Sequence, residues 1–238
     1  MARALFQSWF VDFDPVRAKL DGRQPTGMDS ATAALFPSSF QESTLGPIPK
    51  GWTVAELNDV ASITMGLSPA GDSYNSQGEG DPLINGPVEF GNYFPTKTKW
   101  TNAATRFCDQ HDLIFCVRGS TTGKRVIADG RYAIGRGVCA IAHRRGCHSF
   151  LYQVIDFGLG GLLAKTTGSV FPNLNAPDLK AMPVVSCGEA VLHAYERLAL
   201  PWIQQVQHNQ RQSSKLSMLR DALLPPLLRG ELSVQAKQ

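Results

Sequence analysis

Apolar and polar positions divide the chain into three stretches with different periods. Residues 1–50 open on an aromatic run, LFQSWFVDF, and then turn to Pro, Gly, Ser and Thr in DGRQPTGMDSATAALFPSSFQESTLGPIPKGW. Pro25, Pro37, Pro47 and Pro49 disallow long helices there, because proline lacks a backbone donor and collides with the preceding turn. This stretch reads as an extended strap and linker. Residues 51–185 carry short apolar runs, DVASITMG, HDLIFCVRG, RVIADG, YAIGRGVCAIAH and SFLYQVIDF, cut apart by Gly, Asn, Asp and Pro. Such runs predict strands and turns, with short helices around Phe157 to Lys165 and Ala176 to Lys180. The fold class expected is α+β: a domain on a twisted, mostly antiparallel sheet with short helices, followed by a long C-terminal helix.

In residues 186–238 the period lengthens. Leu192, Tyr195, Leu198 and Leu200, then Ile203, Val206, Leu216, Leu219 and Leu223 recur at three- and four-residue steps among Gln, Arg and Ser. Pro201 suits a first helical turn, so a short helix ending near Leu200 and a longer one over Trp202 to Leu224 are expected. At ~1.5 Å per residue the second would be roughly 35 Å long. A narrow apolar seam (Ile203, Val206, Leu216, Leu219, Leu223) on such a rod wants a partner helix. A short echo between Ala4–Phe10 and Ala222–Leu228 suggests that the chain begins and finishes on the ends of successive repeats.

Composition leaves this picture intact: 43% hydrophobic and 18% charged residues suit a folded globular protein. No apolar run approaches a membrane span, and acidic residues stand where a signal peptide would need an apolar stretch, so a cytoplasmic location is expected. Five irregularly spaced cysteines suggest buried, reduced thiols in place of a disulfide framework.

Charge changes it more. The net charge is only +3, yet Lys97 to Arg145 holds ten Lys or Arg against Asp109, Asp112 and Asp129. Either a solvated basic surface or a phosphate-binding face fits that excess. Within it, RGSTTGKR offers Arg118, Ser120, Thr122, Lys124 and Arg125 in a turn between strands, suited to phosphate and base-edge contacts or to a plain polar hairpin. It is no P-loop, because three residues separate its glycines and Arg125 stands where Ser or Thr should bind magnesium. TKTKW sets Lys97, Thr98 and Lys99 beside Trp100, which suits either a backbone clamp or a lysine-guarded strand edge. Gly135 to Ala140 satisfies GxGxxA, but IAHRRG follows as strand and turn, so bend glycines are the expectation.

Cys108-x2-His111 and His143-x3-Cys147 could combine into a zinc site, although their apolar contexts suit buried thiols; no metal and no cofactor is expected. Motifs for methyl-donor binding, phosphodiester cleavage or a Ser-His-Asp triad are missing, so no catalytic residues are assigned.

Taken with LFQSWFVDFDPVRAK, the runs MDSATAALFPSSFQESTLGPIPKGW and LRDALLPPLLRGEL resemble the segments that flank target-recognition domains in the specificity subunits of type I restriction-modification enzymes. The resemblance implies a target-recognition domain over residues 51–185, with spacer-helix region 186–238, matching the C-terminal half of a two-domain subunit. It further implies sequence-specific recognition of double-stranded DNA at a bipartite site, on behalf of methyltransferase and restriction subunits. A homodimer, or pairing with a second half-subunit, would form through the C-terminal helix. Ser68 and Tyr74, and the Lys165 to Ser169 loop with Thr167 and Ser169, resemble loops that approach DNA in that family. Two alternatives stand beside it: a metal-dependent nuclease or modification enzyme using the Cys/His set, and an interaction protein that dimerises without salt-sensitive DNA affinity.

Overall fold

A computed structural model describes residues 1–164 and 173–231. The chain forms two compact units, Met1–Leu200 and Pro201–Gln238. In chain order the first begins with helix α1 (Ala2–Phe6), a π-helical turn (Gln7–Val11), α2 (Asp14–Leu20) and α3 (Ser30–Ala34), then strands β1 (Phe40–Gln41), β2 (Ile48–Pro49) and β3 (Thr53–Glu56). A short α4 (Leu57–Val60) leads into β4 (Ala61–Met65), β5 (Tyr74–Asn75), β6 (Asp81–Ile84), β7 (Trp100–Thr101), β8 (Phe107–Cys108), β9 (Leu113–Cys116), β10 (Arg125–Ile127), β11 (Tyr132–Ile134) and β12 (Val138–His143). After α5 (His148–Ala164) come α6 (Ala176–Lys180), β13 (Pro183–Ser186) and α7 (Glu189–Leu228), which runs on into the second unit.

Two larger sheets carry the first unit, beside the two-stranded pairs β1–β2 and β3–β13. One is antiparallel in the order β10-β9-β12-β4; the other, β5-β7-β6-β11-β8, is antiparallel except for the β6–β11 pair. The expected α+β class with a mostly antiparallel sheet therefore holds. Why β9 and β12 read as continuous apolar runs follows from their alternation. Leu113, Phe115, Cys139 and Ile141 face the larger core, whereas Ile114, Cys116, Val138 and Ala140 face a smaller one shared with Tyr132 and Ile134 of the second sheet. Side chains alternate across a strand, so a strand between two cores must be apolar at every position.

The N-terminal stretch differs from the strap expected of it. Its prolines do prevent long helices, but short ones form, and Phe6, Trp9, Phe10, Phe13, Phe36 and Trp52 all lie in the larger core. Phe10 sits 5.0 Å from Phe150 and 5.3 Å from Tyr195 in edge-on ring contacts, each worth ~0.5–1.5 kcal/mol beyond area burial. Tyr195 also donates its hydroxyl to the Ala2 carbonyl at 3.1 Å. Burying several aromatic rings at once outweighs the loop-like composition around them.

SFLYQVIDF, expected as a strand, lies in α5. Its start is fixed from a distance: the Glu196 carboxylate, buried on α7, accepts from the Ser149 and Phe150 N–H groups at 3.0 to 3.3 Å and from Ser149 Oγ. Those first-turn N–H groups have no partner inside a helix, so an acceptor there stabilises the helical form. At Ala176–Lys180 the expected helix does form, initiated by a reciprocal Asn175–Asp178 capping box with Pro177 in the first turn. Pro201 does not start a new helix: α7 passes through it, and a proline there removes one hydrogen bond without ending the run.

In the second unit, the helical residues from Pro201 onward would measure about 42 Å at ~1.5 Å per residue. Leu216, Leu219 and Leu223 are exposed there, and Ile203 and Val206 are partly so. Among the described residues no helix is long and apolar enough to cross a membrane.

Candidate nucleic-acid interface

Strand register gathers scattered residues at one end of the four-stranded sheet. Met65 lies opposite Cys139, Val138 opposite Cys116, and Arg125 opposite Phe115. Hence the segment after β4, the β9–β10 connection and the turn before β12 all emerge together. Backbone bonds tie them: Gly66 N–H to Val138 O, Leu67 N–H to Ile134 O, and Val117 N–H to Gly137 O, each at 3.0 Å. Arg118 also forms a β-bridge with Asn173, and Leu174 N–H reaches Val117 O at 2.9 Å, so the chain leading to α6 joins the same end.

The β9–β10 connection is a 3₁₀ turn (Gly119–Thr121). Gly119 and Gly123 hold φ of +77° and +95°, a left-handed conformation that side chains with a Cβ resist. Thr122 turns its hydroxyl back to Gly119 O at 2.8 Å. Arg118, Ser120 and Lys124 project into solvent, and among the described residues neither cation is in an ion pair. Arg125 is different. Its guanidinium is half-buried against Asp156 and donates to Gly123 O at 3.0 Å, so it braces the hairpin on α5.

Ser68, Tyr74 and Lys99 are linked through a second network. Ser68 Oγ contacts Asn85 Oδ1 at 3.3 Å, and the buried Glu89 carboxylate accepts from the Asn85 and Gly86 N–H groups at 3.2 and 3.1 Å. Lys99 Nζ lies 3.6 Å from that carboxylate and over the Tyr74 ring, while the Tyr74 hydroxyl donates to Pro69 O at 3.1 Å. Lys99 is thus occupied internally. Lys97 lies over the Tyr132 ring, Thr98 is exposed, and Trp100 sits inside the sheet between two neighbours, not at its edge. Thr167 and Ser169 fall outside the described residues. Asn85, Glu89, Arg136 and Asn173, which join this end, could not be placed there from sequence, because only strand register brings them together; the glycine pairs around Arg136 were the available signal.

The Cys/His set does not assemble. Cys108 lies in the smaller core and Cys147 in the larger, and among the described residues no group of three or more His, Cys, Asp or Glu could hold a metal. Burial pushes the thiols up, to about 12 for Cys108 and Cys187 and about 11 for Cys116 and Cys147. Burial likewise depresses His143 to about 4, reinforced by His148, Arg145 and His193. Its Nδ1 accepts the Arg145 and Cys147 N–H groups at 3.2 Å, a neutral imidazole in a structural role.

Comparison with known proteins agrees with this architecture. The profile of the family "Type I restriction modification DNA specificity domain" matches residues 49–185. The type I restriction enzyme MjaIX specificity subunit of Methanocaldococcus jannaschii is 22% identical over 245 residues, which span 99% of this chain and 53% of that protein. The HindI specificity subunit of Haemophilus influenzae is 23% identical, over 98% of this chain and 61% of its own length. Among solved structures, the HsdS subunit of Thermoanaerobacter tengcongensis superposes with a TM-score of 0.57 at 25% identity, covering 97% of this chain and 53% of that one. The chain spans little more than half the length of these relatives.

Proposed function

Because the chain belongs to the type I restriction modification DNA specificity domain family, we propose that it reads double-stranded DNA as one target-recognition unit of a specificity subunit. It performs no chemistry itself and directs methyltransferase and restriction subunits to their site in the cytosol. One observation carries the reading: the exposed cations Arg118 and Lys124 share a rigid hairpin, at a sheet end where the Ser68 loop and Asn173 converge. Cations that pair with none of the described residues are free to neutralise phosphates, and hydroxyls and amides beside them can address base edges. Arg125 and Lys99 act behind this surface as braces.

The C-terminal helix is the spacer. Leu216, Leu219 and Leu223 recur as one stripe and are exposed in the single chain, which supports pairing with a second copy or a second half-subunit. Two copies related by a two-fold axis would present two reading ends to an interrupted, palindromic site.

Fluorescence anisotropy of the full chain on duplex DNA, at low and moderate salt, tests the reading, with light scattering giving the mass. Salt-sensitive duplex binding by a two-copy species is expected. A protein that binds no duplex at low salt overturns it.

A further inference from the structure

We propose that Arg136, at the apex of the turn from β11 to β12, reads a guanine edge in the major groove. The inference rests on the DNA-recognition reading above and assigns that site a residue outside the basic hairpin. Arg136 is exposed, and among the described residues its guanidinium has neither an ion pair nor a hydrogen bond; only its backbone is held.

That backbone is fixed on every side. Arg136 N–H reaches Ser68 Oγ at 3.3 Å, Gly135 N–H bonds Ile84 O at 2.8 Å, and Val138 N–H closes the turn on Gly135 O at 3.1 Å. The glycines permit an approach that no other residue could make. A Cβ on Gly137 would stand 2.3 Å from Asn85 O, and one on Gly66 would stand 2.2 Å from Gly135 O. Asn85 is itself anchored by the buried Glu89 carboxylate, so strand ends from both sheets converge beneath one cation.

Such a pedestal matters for one kind of contact more than another. A phosphate accepts hydrogen bonds from many directions and tolerates a loose lysine, whereas the O6 and N7 acceptors of guanine demand a fork placed to within fractions of an ångström. Little positional freedom of the backbone remains to be lost when Arg136 engages, which favours a directional bond. Register sets Arg136 beside the Arg118–Lys124 hairpin, through Val117 N–H to Gly137 O, so hairpin and turn would address neighbouring positions.

The test uses the full chain and a pool of DNA duplexes with randomised positions. Selection with the wild type yields a preferred duplex, on which wild type, R136A and G137A are titrated beside a scrambled duplex and duplexes carrying 7-deazaguanine at single positions. R136A should lose roughly 5- to 150-fold on the preferred duplex, keep its affinity for the scrambled one, and relax one G·C pair. At that pair, removing N7 should weaken the wild type and leave R136A unchanged. G137A keeps the charge and, where its circular dichroism matches the wild type, should reproduce the R136A specificity loss. Equal weakening on both duplexes would make Arg136 a phosphate contact and overturn the proposal, as would wild-type specificity in R136A. A wild type that selects no duplex would sink the recognition reading itself.

Discussion

Replacing Glu196 by alanine tests the long-range cap on α5, which holds much of the larger core in place. The substitution strands three donors, Ser149 N, Ser149 Oγ and Phe150 N, on residues only 1% and 2% exposed, where water cannot substitute. Each orphaned buried donor costs ~1–3 kcal/mol. Against that stands the expense of keeping the carboxylate itself buried: burial raises its pKa despite the donors around it. We expect a net loss of about 3 kcal/mol for Glu196→Ala once this partial offset is allowed for. In a chain of this size that corresponds to a fall of ~6–12 °C in Tm. Glu196→Gln keeps one acceptor and should lose only about 1 kcal/mol. The pH dependence has a definite sign. A carboxyl with a raised folded-state pKa contributes stability that is complete below its unfolded value and declines as pH rises through the folded one. The gap between wild type and Glu196→Gln should therefore narrow from pH 4 to pH 7. Urea denaturation followed by circular dichroism at several pH values reads all of this. An alanine variant within ~0.5 kcal/mol of wild type, where surface substitutions usually fall, would refute the capping argument.

Phe10→Ala removes a ring that touches Phe6, Trp52, Phe150 and Tyr195, and should cost ~3–5 kcal/mol in urea titrations; a surface-like loss would return the N-terminal stretch to a loose strap. His143 has its folded-state pKa depressed to about 4 by burial, so stability present above pH 6.5 is lost as pH falls from 6.5 toward 4. In His143→Gln that decline should flatten, and an unchanged acid profile would show that another group governs it. Native protein should resist thiol alkylation at neutral pH, since burial raises Cys108, Cys116, Cys139, Cys147 and Cys187 alike, whereas in urea all five should react; a fast-reacting native thiol would contradict the packing.

What could be read from sequence was whatever local chemistry decides. LIFCVRGSTTGKRVI announced two strands around a glycine-bounded turn, and Ala176 to Lys180 announced a short helix. The first half of α5 escaped because its aromatic and β-branched residues favour strands, while the cap that starts it arrives 47 residues later on another helix; its second half, from Phe157, matches the helix that the sequence predicts. Similarly, the loop-like composition of residues 11–50 concealed aromatic rings whose burial depends on partners far along the chain. Of the candidate site, the hairpin cations were legible as a charge cluster, yet nothing local distinguishes the exposed Lys124 from Arg125, which Asp156 claims. Arg136 and Asn85 meet only through the parallel register of β6 and β11, a long-range property.

The claim that one end of the sheet, and not basic charge in general, meets DNA is tested by removing two charges from either end. Arg118 and Lys124 lie at the proposed reading end, whereas Arg131 precedes β11 and Arg144 follows β12, at the opposite strand ends. Duplex affinity is measured against salt concentration for R118A/K124A and for R131A/R144A. The first pair should weaken binding and flatten the log–log slope by about 2, at ~0.9 for each phosphate left without its cation, and the second should match wild type. Equal losses from the two pairs, or a larger loss from the second, would contradict the account.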